Sequence, residues 1–249
     1  MQSALDQFRT SIGRVRDLIS IHNSFKAQAT GALDLSDILR AALVLAVSAL
    51  DYYVHEVVRL GMLEIHRGQR PEPSFKPTAT QSAFSRFQVS LGSARQDRNL
   101  AVSIATWLES EIQQSHGYDF LQQSHTLPGL LPVLSNIILS RLNSTSWLED
   151  EIRERHSYLS FQQPDKVAEA IRLISDKSLW DEVAKLMGVS AKSVKQGLSS
   201  IIERRNKIAH EADIDPTLNL GDRWHIDESQ VNDAIDFIEQ LVESIHQIL

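Results

Sequence analysis

The chain has no cysteine in its 249 residues, which excludes a disulfide framework, a thiolate metal site and a cysteine nucleophile. Glycine and proline are scarce, at 10 and 7. An all-β protein that turns about every ten residues would need more of both. No glycine-rich phosphate loop and no Gly-x-Ser-x-Gly is present, so nucleotide-hydrolase and α/β-hydrolase readings have no support. No two histidines stand at His-x3-His spacing, and neither a metal nor a cofactor is expected. The longest apolar run, Ala41 to Leu50, ends at Asp51 and is too short to span a bilayer. The first residues lack the basic start and apolar run of a signal peptide, so a cytoplasmic location with no membrane partner is expected. A net charge of −7 excludes a protein that coats nucleic acid indiscriminately.

The chain is 42% hydrophobic, enough to build a core, and its apolar periodicity is helical. Leu5, Phe8, Ile12, Val15 and Ile19 recur at spacings of 3 and 4 and predict a helix from residue 3 to about 28. Gly31 breaks the pattern, and Asp34 or Ser36 can cap a second helix over about 36–66. This helix is apolar on nearly every face through Ala41–Val58, which predicts a central place in a bundle. Residues 67–82 hold three prolines and read as a connection. Short helices follow at about 80–91, 97–115, 129–142 and 146–159. Pro164 opens a helix to about 175, and Gly188 stops the next one, 178–187. Ser190 can cap a long helix to about Ala212, and Asp227 to Gln230 form a capping box for the last helix. The expected architecture is one all-α domain, with core helices at about 3–66 and 164–249 and inserted middle helices over about 67–163.

The segment that carries chemistry is Arg205-Asn206-Lys207-Ile208-Ala209-His210. In this composition a bare Arg-x4-His is expected by chance roughly 0.6 times, and Arg-Asn-x3-His roughly 0.02 times. On the 190–212 helix, Val194, Leu198, Ile201, Ile208 and Ala212 form an apolar stripe with Arg205 in its gap. A charge on an inner face is costly unless it is paired or meets a ligand. Ser48, Asp51 and His55 line one polar strip of the second helix, and Asp51 is a candidate partner for Arg205. That pair either is a structural ion pair or orients Arg205, with Arg204 and Lys207 as supporting cations, toward a phosphate. Residues five apart on a helix differ by about 140° in azimuth, so Arg205 and His210 do not converge on one face. Either the helix frays at His210 or two copies of the motif face each other across a two-fold axis; the second is favoured.

Arg-Asn-Lys-Ile-Ala-His late in a helical bundle resembles the Arg-polar-x3-His signature of the HEPN superfamily. Trp180 to Gly188, Arg204-Arg205-Asn206, His210 to Asp213 and the apolar helix Ala41–Val58 with its embedded acid resemble the RiboL-PSP branch. The resemblance implies an all-α HEPN-type bundle. It also implies a homodimeric, metal-independent endoribonuclease of bacterial defence or toxin–antitoxin systems, with an antitoxin or other defence protein as a possible partner. By position, Arg205 would bind the scissile phosphate, His210 would move protons and Asn206 would orient the site. Several toxin relatives carry tyrosine two residues after the histidine; Ala212 stands there, so control through that tyrosine is not expected. Some members of the superfamily are non-catalytic RNA-binding or dimerisation modules, which is one alternative.

The other alternative is a DNA-binding helix-turn-helix over 181–198, whose readers would be Lys192, Lys195 and Gln196. Trp107, Trp147, Trp180 and Trp224 are scattered and read as core or interface anchors rather than a base-stacking row. The charge is uneven: residues 67–98 carry +4, which leaves −11 for the rest. Arg86, Arg95 and Arg98 in that segment are candidates for an RNA path.

Overall fold

The computed structural model describes residues 1–28, 34–73, 98–143, 146–217 and 221–249, with the backbone alone at 98–104, 141–143 and 146–147. They form ten helices and, among the described residues, no strand beyond one isolated bridge between Ile214 and Arg223. The fold is all-α.

The helices are α1 (Gln2–Gln28), α2 (Ser36–His66), α3 (Arg98–His116), α4 (Tyr118–Gln122), α5 (Leu127–Asn143) and α6 (Ser146–His156). They continue with α7 (Pro164–Ile171), α8 (Leu179–Met187), α9 (Ala191–Glu211) and α10 (Glu228–Ile248). The chain divides into two compact units, residues 1–78 with 158–249 and residues 79–157. The expected helix at 80–91 lies outside the described residues, α4 adds a short helix that the sequence pattern did not predict, and α7 ends four residues early in a turn.

In the first unit α2 packs against α1, α7, α9 and α10. Its buried face, including Leu43, Val47, Leu50, Tyr53, Val54, Val57 and Val58, meets the 3–4 spaced ridge Leu5, Phe8, Ile12 and Val15 of α1. Near its C-terminal end, Gly61 lets Ile174 approach so closely that a Cβ there would sit 2.8 Å from Ile174 Cγ2. By length and composition α2 alone among the described helices is apolar enough to cross a membrane, yet over half of its most apolar window is buried within the bundle. The expectation of a central helix, apolar on nearly every face, is corrected in one respect. Ala41, Leu45, Ser48 and Tyr52, at spacings of 4, 3 and 4, lie on an open side, with Leu45 48% and Tyr52 52% exposed.

The ends of the last helices follow local chemistry. Gly188 closes α8 in the left-handed region at φ 69°, which a residue without Cβ adopts freely. Ser190 Oγ accepts from Ser193 N at 3.0 Å and caps α9. Asp227 Oδ1 accepts from Gln230 N at 2.9 Å while the Gln230 side chain accepts from Asp227 N at 3.4 Å, a complete capping box for α10.

Candidate functional site

The arginine pair at the end of α9 divides its labour. The buried ridge of α9 is Val194, Leu198 and Ile202; Ile201 and Ile208, placed on that ridge by sequence, are half-buried, and Ala212 is an exposed cap. The next position on the ridge is Arg205, three residues beyond Ile202. Arg204 points elsewhere. Its Nη1 and Nη2 donate to Asp213 Oδ1 and Oδ2 at 2.5 and 2.8 Å, and Nη2 also donates to the carbonyls of Trp224 and His225 at 3.2 and 3.1 Å. Arg40 of α2 reaches the same acid: Nε donates to Asp213 Oδ2 at 2.6 Å and Nη2 to Trp224 O at 2.9 Å. Asp213 is fully buried, so this acid between two cations is a structural lock joining α2, α9 and the 222–226 segment. Burial lowers the Arg204 pKa below its ordinary value, with Arg40 adding to the effect and Asp213 opposing it.

The lock also sets how α9 ends. Ala212 and Asp213 both adopt the left-handed region, at φ 51° and 58°, which strains an alanine by roughly 1–2 kcal/mol and which aspartate tolerates better. The two arginines on Asp213 and the bond from Asp213 N to Lys207 O at 2.9 Å hold that turn in place. The helix therefore runs unfrayed through His210 to Glu211, and Arg205 and His210 stay about 140° apart. Of the two sequence-derived ways to converge them, fraying is not what the structure contains.

Arg205 is half-buried and, among the described residues, has no hydrogen bond and no ion pair. Asn206, also half-buried, and His210, exposed, are likewise unpartnered among the described residues. Asp51 does not hold Arg205. Its Oδ1 accepts from Phe161 N at 2.7 Å and its Oδ2 from Gln162 Nε2 at 2.8 Å, so both oxygens are spent fastening the segment before α7. His55 belongs to the same fastening, with Nε2 3.2 Å from Leu159 O and 3.7 Å from Asp51 Oδ1, its ring against Phe161. Ser48 Oγ donates to Val44 O one turn back at 2.9 Å. The polar strip of α2 thus anchors a neighbouring loop. The acid that serves the motif is Asp213, eight residues beyond Arg205, and it serves Arg204.

Lys207 stands 4.5 Å over the ring of half-buried Trp224. Beside it lies a cleft of about 380 Å³ lined by residues of α2, α9, the 222–226 segment and α10. Arg86 and Arg95 lie outside the described residues, and Arg98 begins α3 with its side chain undescribed. The α8–Gly188–α9 connection is a helix–turn–helix in outline, but α9 is one helix of 21 residues that runs on through the Arg205 motif. Among the described residues no three His, Asp or Glu side chains lie together as a metal cluster would require.

With this geometry in hand, the comparison with family models is specific: the RiboL-PSP-HEPN model matches residues 9–249. The chain belongs to the RiboL-PSP-HEPN family, an all-α family of the HEPN class. Comparisons with curated proteins and with solved structures return no match. Membership supports an RNase or RNA-binding module as the range of functions to consider.

Proposed function

We propose that the protein is a metal-independent endoribonuclease of a bacterial defence or toxin–antitoxin system, acting in the cytoplasm as a homodimer with Arg205, Asn206 and His210 at a composite site. The observation that carries this reading is Arg205 itself. The fold supplies a carboxylate to Arg204 and leaves the adjacent, half-buried Arg205 without one among the described residues. A half-desolvated guanidinium without a counter-charge is a standing cost, and a phosphate removes it with bidentate geometry.

The reaction needs only these side chains and the RNA. A His210 imidazole takes the proton of a ribose 2′-hydroxyl, whose oxygen forms a bond to the adjacent phosphorus. The bond from phosphorus to the 5′-oxygen breaks, and that oxygen takes a proton from the second copy's imidazolium. The products are a 2′,3′-cyclic phosphate and a 5′-hydroxyl. Histidine's pKa suits both transfers near neutral pH, and Arg205 offsets the charge that develops on the phosphorane. Two copies are required because an intact α9 keeps Arg205 and His210 apart within one chain. The open face of α2 at Ala41, Leu45 and Tyr52 is an apolar surface for that pairing.

The test is incubation of the pure protein with RNA in EDTA. Cleavage with cyclic-phosphate ends, lost in His210→Ala, supports the reading. No cleavage by the wild type, or equal cleavage by His210→Ala, defeats it and leaves a binding module.

A further inference from the structure

We infer that the cleft beside Trp224, lined on α9 by Arg204 and Lys207, is a nucleobase subsite for RNA. The inference rests on the RNA reading above and adds where a base is held.

The floor of the cleft is apolar, formed by buried Leu43, Ile226 and Val231, and Trp224 contributes an indole wall. Its volume of about 380 Å³ falls in the range of small-molecule sites. The rim offers Ser200 and Gln230, whose hydroxyl and amide can meet the polar edge of a base. Lys207 stands at the same rim, has no carboxylate partner among the described residues, and supplies a cation for the attached phosphate.

The backbone of Trp224 is fixed at both its amide and its carbonyl. Trp224 N donates to Asp213 O at 2.9 Å. Its own carbonyl accepts from Arg40 Nη2 at 2.9 Å and from Arg204 Nη2 at 3.2 Å. The lock that closes α9 is therefore also the mount of the aromatic platform. A preorganised platform binds a flat ligand without the cost of ordering it. Arg204 lines the cleft but its charge is paired with Asp213, which leaves Lys207 as the rim cation that can meet an anion.

The test uses the full-length protein, a single-stranded 2′-O-methyl RNA hexamer that cannot be cleaved, and the four nucleoside 5′-monophosphates. The Trp224 indole N–H resonance is followed, assigned by its loss in Trp224→Leu. Saturable movement of that resonance by the hexamer, with binding at least about fivefold weaker in Trp224→Leu, supports the subsite. Ser200→Tyr, at an exposed rim position, should weaken binding similarly and covers the case in which Trp224→Leu fails to fold. Hexamer binding that leaves the resonance still and survives both substitutions overturns the subsite while the nuclease reading stands. Movement of the resonance in a protein that cuts no RNA supports the subsite and defeats the nuclease reading. Saturation by a monophosphate with no added affinity from the hexamer makes the cleft a mononucleotide site and overturns its place on RNA.

Discussion

Arg204 makes a two-pronged bond to Asp213, at 2.5 and 2.8 Å, through a turn in which Asp213 itself is held left-handed at φ 58°. One residue further on, Arg205 has no partner among the described residues. The two neighbours thus differ: Arg204 builds the frame at the end of α9, and Arg205 is the cation on which the proposed site rests.

The frame predicts a large stability effect. Asp213→Asn keeps a side chain that tolerates the left-handed region but removes the charge facing Arg40 and Arg204. It should destabilise the fold by about 3–5 kcal/mol, read from urea unfolding midpoints. A loss below about 1 kcal/mol would show that Asp213 does not lock these elements together.

Arg205→Ala and Arg204→Ala should separate function from stability. The first is expected to change stability by no more than about 0.5 kcal/mol and to lower RNA cleavage about a hundredfold or more. Arg204→Ala should unfold at lower denaturant, because it leaves a buried carboxylate with one cation fewer. Equal destabilisation by both would make Arg205 a second structural arginine.

Gly61→Ala tests the packing under α2. Alanine is the better helix former, by about 1 kcal/mol, but its methyl would lie 2.8 Å from Ile174 Cγ2, and both groups are buried. Overpacking of that kind costs about 1–3 kcal/mol and should win. Ile174→Ala in the same chain should remove the clash, so the two substitutions will be non-additive in a double-mutant cycle. A stabilised Gly61→Ala would contradict the close approach.

Much of this fold is legible in the sequence, and the failures have physical causes. Gly188, Ser190 and Asp227 act through bonds within three or four residues, so α8, α9 and α10 can be bounded by reading along the chain. The Arg40–Asp213 bond joins residues 173 apart and leaves no local pattern. The only sign was a charge within an apolar helix and an acid just past a helix end. The ridge of α9 runs through Ile202 rather than Ile201; both are apolar, and a step of 100° decides which is inside. Asp51 is an acid embedded in the apolar stretch of α2. Its true partners, Phe161 N and Gln162, are a backbone group and an amide, which sequence patterns of charge do not reveal.

Acid should destabilise the protein partly through His246. Burial lowers its pKa from the ordinary 6.5, with Arg9 adding and Glu243 opposing, and its Nδ1 lies 3.3 Å from Tyr53 OH. The unfolded chain then binds this proton more readily than the folded one. The contribution is present above about pH 6.5 and is lost as pH falls through the lowered folded value. His246→Gln should flatten the slope of unfolding free energy between neutral and mildly acid pH. An unchanged slope would assign the acid sensitivity to other groups.

Pairing of copies should depend on the open face of α2. Tyr52→Arg adds a charge to an exposed position and leaves the core alone. It should convert a dimer to a monomer in sedimentation and abolish cleavage together with it. Monomers that still cut RNA would remove the need for a second copy.

The most direct measurement of the composite site is complementation between two inactive variants. Arg205→Ala and His210→Ala are mixed, subunits are exchanged, heterodimers are verified by mass, and RNA cleavage is measured in EDTA. A heterodimer holds one intact Arg205 and one intact His210 on different chains. With solvent water replacing the second imidazolium as proton donor to the 5′-oxygen, recovery of a small part of the wild-type rate is predicted, above that of either variant alone. Verified heterodimers with no cleavage would contradict a site shared between two copies.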